Sequence, residues 1–250
     1  MLSNNHTTWT IVEKCEEAPG VTSLVLDANG EQPPFIAGQY LTVLIPGFEP
    51  IEGKSYSISS IPKDERVVLT VKEMGNFSRA LRARDVGSTL TTSLPYGFFY
   101  PEPDEQRDLA FVVGGIGITP CISIIEDLLT KGFDKSMTLF YSNKTVEGIV
   151  FKNRLDTLAQ NHENLTIHYF ITQENLGSSS PRPGLGKRLG RASAELHEGR
   201  MTAELIITHL ENSTETDFFL CGSINFTKSL WTSLRTQNIP SPNLYTEGFF

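Results

Sequence analysis

The stretch LAFVVGGIGITP, residues 109–120, limits the fold of this chain more than any other segment. An apolar, Val-rich run reads as a strand, and it leads directly into Gly114, Gly115 and Gly117. Without a Cβ these residues let the backbone turn tightly, and they let a flat, charged group approach main-chain N–H donors at the start of a helix. Ile118 continues the turn, Thr119 is expected to cap the helix, and Pro120 suits its first turn, where an N–H has no partner in any case. Taken alone the turn has two readings, a tight strand-to-helix connection or a pyrophosphate cradle, because its spacing departs from GxGxxG.

The surrounding pattern sets the turn inside an α/β domain. LAFVVGG, SMTLFYSN, LTIHYFIT and TDFFLCGS read as strands, while PCISIIEDLLTKG and GIVFKNRLDTLAQNH read as helices. MTAELIITHL, FTKSLWTSLRTQN and NLYTEGFF continue the alternation, which argues for a parallel sheet with helices on both faces. Before residue 95 the chain reads differently. TWTIVEKCEE, VTSLVLD, QYLTVLIP, KSYSISS, RVVLTVKEM and STLTTSLP are short β-rich runs between Gly, Pro and Asp, the pattern of an antiparallel sandwich or barrel. NFSRALRARDV, with Phe77, Leu81 and Val86 near helical spacing and Asn76 as cap, is its one expected helix. The charged, Pro-containing YPEPDEQRD marks the connection, so the expected domains are 1–103 and 104–250. Residues 176–193, rich in Gly, Ser and Pro, read as a surface loop.

With 250 residues there is enough chain for two ordinary domains. The formal net charge of −8 disfavours a nucleic-acid binder, which needs a concentrated basic face. Cys15, Cys121 and Cys221 are too few and scattered for an iron–sulfur cluster or a structural zinc site, and His162, His168, His197 and His209 lack ligand spacing, so no metal site is expected. No apolar run approaches the roughly 20 residues of a membrane helix, and the first residues lack a signal-peptide pattern. A cytoplasmic protein with no membrane span is expected.

KSYSISS, residues 54–60, can be read in period two as a barrel strand, with Tyr56, Ile58 and Ser60 on one face and a polar row of Ser55, Ser57 and Ser59 meeting water. That reading leaves Lys54 unexplained, and with it GNFS, residues 75–78, which can offer N–H groups and a hydroxyl to a phosphate at a helix start.

Taken together, these motifs resemble the ferredoxin–NADP reductase family of two-domain flavin oxidoreductases. KSYSISS is similar to its RxYSxxS flavin motif, GNFS to GxxS, PYGFF to PxGxF and GGIGITP to its nicotinamide-nucleotide turn. The CGS run is similar to its late Cys-Gly pair and EGFF to its Glu-x-aromatic ending, so the matches span nearly the whole chain in order. The resemblance implies an all-β antiparallel Greek-key barrel that binds flavin, followed by an α/β doubly wound parallel sheet that binds the nucleotide. It implies FAD, with FMN as the alternative, and NAD(P)H as co-substrate, with hydride passing from nicotinamide C4 to flavin N5.

On this resemblance Tyr56 packs on the flavin ring, Ser57 hydrogen-bonds near N5, and Lys54 with Ser55 lies by the phosphates. Lys54 stands where the family has Arg, which replaces a planar fork by a point charge. Val71 and Lys72 join the flavin site from the neighbouring strand, and Gly75, Asn76, Phe77 and Ser78 support the pyrophosphate. Cys221 and Gly222 border the nicotinamide, Glu247 relays a proton, and Phe249 or Phe250 covers the flavin. Lys144 is a cation for a 2′-phosphate, but Gln173 and Glu174 stand where NADP-preferring members place Ser-Arg, and Arg182, Lys187 and Arg188 lie in the loop. The nucleotide therefore stays open between NADH and NADPH.

The chain carries no fused ferredoxin cysteines, so the resemblance implies a separate acceptor: a ferredoxin, a flavodoxin, an oxygenase component or a small molecule. Arg79, Arg82 and Arg84 form a candidate basic patch for such a partner. Two other readings remain, a free-flavin or ferric-chelate reductase and a non-catalytic nucleotide-binding interaction module.

Overall fold

The computed structural model describes residues 6–102, 105–175 and 194–249. The chain divides into two compact units, Met1–Tyr100 with Ile122–Lys131 and Pro101–Cys121 with Gly132–Phe250. The division near residue 100 lies slightly before the expected 103/104, and a helical segment beyond it groups with the first unit.

In the first unit β1 (His6–Ala18), β2 (Val21–Asp27), β3 (Tyr40–Leu44), β4 (Lys54–Ser57), β5 (Val67–Lys72) and β6 (Thr89–Ser93) pair antiparallel in the order β4-β3-β6-β1-β2-β5. The two outer strands of that order meet through a bridge between Ile58 and Leu69 and the Ser59 N–H to Val68 O bond of 2.9 Å, which closes the sheet into a barrel and removes its edges. Every second residue points inward, and Trp9, Ile11, Leu24, Leu26, Leu41, Val43, Leu69 and Val71 fill the interior. The Trp9 indole N–H is satisfied inside it by Thr92 Oγ1 at 2.8 Å. Helix α1 (Asn76–Arg82) sends Phe77 and Leu81 into the same core.

The second unit is a parallel sheet of β7 (Asp108–Gly114), β8 (Met137–Asn143), β9 (Leu165–Ile171), β10 (Ala194–Glu198), β11 (Thr216–Ser223) and β12 (Leu244–Phe249), in the order β10-β9-β8-β7-β11-β12. Its central strands are buried almost throughout, so they read as continuous apolar runs rather than alternating ones. α2 (Ile118–Thr130), α3 (Lys152–Asn161), α4 (Ala203–Thr208) and α5 (Ile224–Thr236) complete the fold. Leu230 and Leu234 of α5 and Ala203 and Ile206 of α4 pack on the face that carries Val112, Phe140, Phe170 and Leu220. Among the described residues no helix is long and apolar enough to cross a membrane.

Several local expectations shift. The serines of KSYSISS do not meet water beyond Ser55. Ser57, Ser59 and Ser60 are buried, with Ser59 Oγ bonded to Thr70 Oγ1 at 2.8 Å and Ser60 Oγ accepting the Val68 N–H at 3.0 Å. α1 stops at Arg82, leaving Val86 exposed, and its cap is Gly75 rather than Asn76. β10 has no counterpart among the expected strands, because AELHE is an edge strand whose polar residues hide its β character. The loop at 176–193 lies outside the described residues.

The Trp9–Thr92 pair gives a stability test. Thr92→Val keeps the side-chain shape and strands a fully buried indole N–H, which costs about 1–3 kcal/mol. Thermal unfolding is expected to show a midpoint about 2–4 °C lower for each of those kcal/mol; an unchanged midpoint refutes the bond's contribution.

Candidate functional site

A doubly wound sheet binds ligands outside the carboxyl ends of its strands, at the point where strand order reverses. Here β8, β9 and β10 follow β7 on one side, and the chain then returns to place β11 and β12 on the other. The reversal lies between Gly114, which ends β7, and Cys221–Gly222 near the end of β11.

The main chains meet there without room for side chains. A Cβ on Gly117 would lie 2.4 Å from the Cys221 carbonyl oxygen and 2.8 Å from the Gly222 nitrogen, and one on Gly222 would lie 2.9 Å from the Phe226 ring of α5. A Cβ on Gly114 would press on the same ring at 3.2 Å. Gly115, at φ +55°, makes the left-handed step, and its carbonyl accepts the Tyr141 hydroxyl at 3.0 Å. A single 3-10 turn over Gly115–Gly117 runs into α2 at Ile118, which is fully buried. The helix thus starts before the expected Pro120, which remains in the first turn. Thr119 is not its cap: its hydroxyl donates to Ile116 O at 3.1 Å.

β12 brings the last described residues to this cradle. Glu247 is in register with Cys221, Gly248 with Gly222 and Phe249 with Ser223. Cys221 is fully buried, as is Cys121 in the first turn of α2. Burial pushes both thiols well above their ordinary value, and the Glu247 carboxylate adds to the rise. They are neutral thiols at neutral pH, small polarizable walls rather than nucleophiles. Phe249 is half-buried, and Phe250 lies outside the described residues. Ser223 caps α5, its hydroxyl accepting the Phe226 N–H at 3.4 Å.

In the barrel, Lys54 and Ser55 are exposed, Tyr56 half-buried and Ser57 buried. Burial raises the Tyr56 phenol to about 12, so it is neutral throughout the working pH range. Its ring stacks on Phe77 at 6.5 Å, and Lys54 Nζ sits 5.9 Å over the same Phe77 ring, so Phe77 organises both from below. Val71 points into the barrel core, which leaves only its main chain for a ligand, while Lys72 is exposed. Ser78 serves the fold directly, because its Oγ accepts the Met74 N–H at 2.8 Å and the Gly75 N–H at 3.1 Å and donates to Gly75 O. Gly75 and Asn76 are exposed beside it, and a Cβ on Gly75 would meet nothing within 4 Å. An exposed ammonium beside an open helix start fits a phosphate.

At the ends of β8 and β9, Lys144 is exposed and its carbonyl accepts the Gln173 N–H at 2.9 Å. Glu174 folds back on the same loop, Oε2 accepting the Val146 N–H at 2.7 Å. Arg182, Lys187 and Arg188 lie outside the described residues. Two arginines of the expected basic patch are ion-paired in place, Glu73 taking Arg79 Nε and Arg82 at 2.9 Å each and Glu16 taking Arg82 at 3.3 Å, while Arg84 Nη1 donates to the Thr89 carbonyl at 3.5 Å. Tyr141, Cys121 and Phe226 border the glycine cradle and were missed in the sequence, where each looks like an ordinary core residue.

The sequence matches the family model described as the oxidoreductase NAD-binding domain over residues 111–230. The chain is 26% identical over 236 residues to the reductase component 1 of terephthalate 1,2-dioxygenase from Comamonas sp, covering 93% of this chain and 65% of that protein, so it spans just under two thirds of that relative. Its fold matches the flavohem-like FAD/NAD-binding domain of nitric oxide dioxygenase from Vibrio cholerae with a TM-score of 0.82 at 21% identity, covering 98% of this chain and 99% of that one. It is 30% identical over 258 residues to the human oxidoreductase NAD-binding domain-containing protein 1, covering 94% of this chain and 77% of that protein. With its barrel, its doubly wound sheet and its glycine cradle at the strand reversal, the chain belongs to the ferredoxin–NADP reductase family.

Proposed function

We propose that this chain is a flavin-dependent oxidoreductase that takes hydride from NADH onto FAD and passes electrons to a separate acceptor. The observation that carries the reading is the side-chain-free approach of Gly117 to Cys221 and Gly222 at the reversal of the parallel sheet, the place where a doubly wound sheet takes a nucleotide. When bound, FAD would supply the redox chemistry, taking one hydride with its two electrons and returning electrons to the acceptor.

The chain's residues bind and orient. Tyr56, held by Phe77, presents a flat neutral ring to the isoalloxazine, and Lys54 with the N–H groups of Asn76 and Phe77 holds phosphate. Ser57, buried at the end of β4, supplies the hydroxyl near N5. Val71 main chain and Lys72 flank the same site, with Ser55 at its solvent side. At the cradle Gly114, Gly115 and Gly117 admit the nucleotide, and Cys221, neutral and small, sets the nicotinamide plane. Glu247, in register with Cys221, is the proton relay, and Phe249 is the aromatic cover.

NADH is preferred because the loops that follow β8 and β9 hold a carboxylate. Glu174 is fixed on the Val146 N–H, where its carboxylate would accept from ribose hydroxyls and would repel a 2′-phosphate that Lys144 alone would have to neutralise. The relative that serves terephthalate 1,2-dioxygenase supports an oxygenase component as the acceptor, with ferredoxin, flavodoxin or a small molecule as the other outcomes of an acceptor screen.

Protein supplied with FAD is expected to be yellow and to lose its absorbance near about 450 nm on addition of NADH; protein that binds FAD but is never reduced is an interaction module instead. Ser57→Ala is expected to keep the flavin while stopped-flow reduction slows at least about tenfold, and an unchanged rate removes Ser57 from the mechanism. Glu174→Arg is expected to raise the NADPH-to-NADH ratio of kcat/KM at least about tenfold, and a constant ratio discards the specificity assignment. Gly117→Ala drives a Cβ into the Cys221 main chain, with an expected cost of about 1–3 kcal/mol in stability and weaker NADH binding at retained FAD; unaltered KM for NADH rejects the cradle.

A further inference from the structure

Three histidines set aside on linear spacing converge in the folded chain. β9 carries His168, and β10 carries Glu195 and His197 two positions apart, so all three project from the same face of neighbouring strands. His209, the residue that closes α4, reaches the same place. One ligand atom from each of the four side chains lies within 4.8 Å of the other three.

We infer that His168, Glu195, His197 and His209 form a binding site for a divalent transition-metal ion, zinc above all, that staples the edge strand β10 and α4 to the sheet.

The spacings favour an ion over a simple hydrogen-bond network. A tetrahedral zinc site with bonds of about 2.0–2.1 Å has ligand-to-ligand edges of about 3.4 Å. His168 Nδ1 lies 3.1 Å from His197 Nε2 and 3.6 Å from Glu195 Oε2, and His197 Nε2 lies 3.8 Å from that same oxygen. His209 needs to close by about 1.4 Å at most to complete the figure. Its Nδ1 donates to Leu205 O at 2.7 Å, which leaves the lone pair on Nε2; metal-bound imidazoles are oriented by this kind of outer hydrogen bond. The other rings are held flat, His168 against Phe140 at 5.3 Å and His197 against Phe170 at 4.7 Å.

Charge points the same way. His168 and His197 are buried imidazoles, and a neutral imidazole has a lone pair to give a metal. The Glu195 carboxylate brings an anionic oxygen to the same cluster, which suits a cation. Three nitrogens and one carboxylate oxygen suit zinc, cobalt or nickel rather than calcium or magnesium. Four protein ligands leave no open position, so the role is structural.

The test uses the full chain with FAD, stripped of metal by chelator and titrated with Zn2+. One ion per chain after gel filtration, a raised unfolding temperature and the ligand-field bands of tetrahedral Co2+ on substitution are expected. His197→Gln and the less buried Glu195→Gln are each expected to weaken Zn2+ binding at least about tenfold, while Cys15→Ser, at an exposed thiol remote in sequence, leaves it unchanged. The assignment fails if wild-type protein retains no zinc or gains no thermal stability from it, if Glu195→Gln and His197→Gln bind as tightly as wild type, or if Cys15→Ser abolishes binding. Should His197→Gln not fold, the wild-type titration and Glu195→Gln decide the matter.

Discussion

At the reversal of the parallel sheet two stretches of main chain lie closer than any side chain permits. Gly117 faces the Cys221 carbonyl and the Gly222 nitrogen, while Gly114 and Gly222 share the flat of the Phe226 ring. The rest of the unit follows from that approach. It fixes where α2 and α5 begin, because α2 starts directly after Gly117 and α5 two residues after Gly222, and it aligns the edge strand β12 so that Glu247 pairs in register with Cys221. The Tyr141 hydroxyl on the Gly115 carbonyl ties β8 to the same point. Main chains that pack this closely leave no side chain between the two strand ends.

The barrel solves a different problem. Hydroxyls from KSYSISS are buried on the outer face of the barrel, where Ser59 bonds Thr70, Thr70 bonds Ser23 and Glu17 accepts from Ser23 at 2.7 Å. The buried hydroxyls are partnered, so the closure of the sheet at Ile58 and Leu69 carries no desolvation penalty from them. Only Lys54, Ser55 and part of Tyr56 are left exposed, and Phe77 supports the last from beneath.

Electrostatics in this acidic chain is local. The arginines of α1 are matched to Glu73 and Glu16, so they do not add up to a basic face. In the second unit Glu174 holds its carboxylate on the loop that follows Lys144, and the His168–His197–His209 group brings ring nitrogens beside Glu195. Each arrangement concerns one short range of contacts, where burial and hydrogen bonding outweigh the net charge of −8.

The two architectures, the glycine turn and the order of the motifs were legible in the sequence, because each is a local pattern: period-two runs, apolar strands followed by helices, glycine where the backbone must bend. What long-range packing decides was not. Thr119 and Pro120 look like a helix start, yet the turn at Gly115 begins the helix earlier; Ser78 looks like a phosphate ligand, yet it caps α1. AELHE was not among the expected strands, and only its pairing with β9 brings His168 to Glu195 and His197. Residues apart in the chain share a site through strand register and helix packing, and neither is encoded by spacing along the backbone. The sequence determined which elements form, whereas the tertiary structure alone decided which of their side chains meet, since that depends on contacts closed across tens of residues.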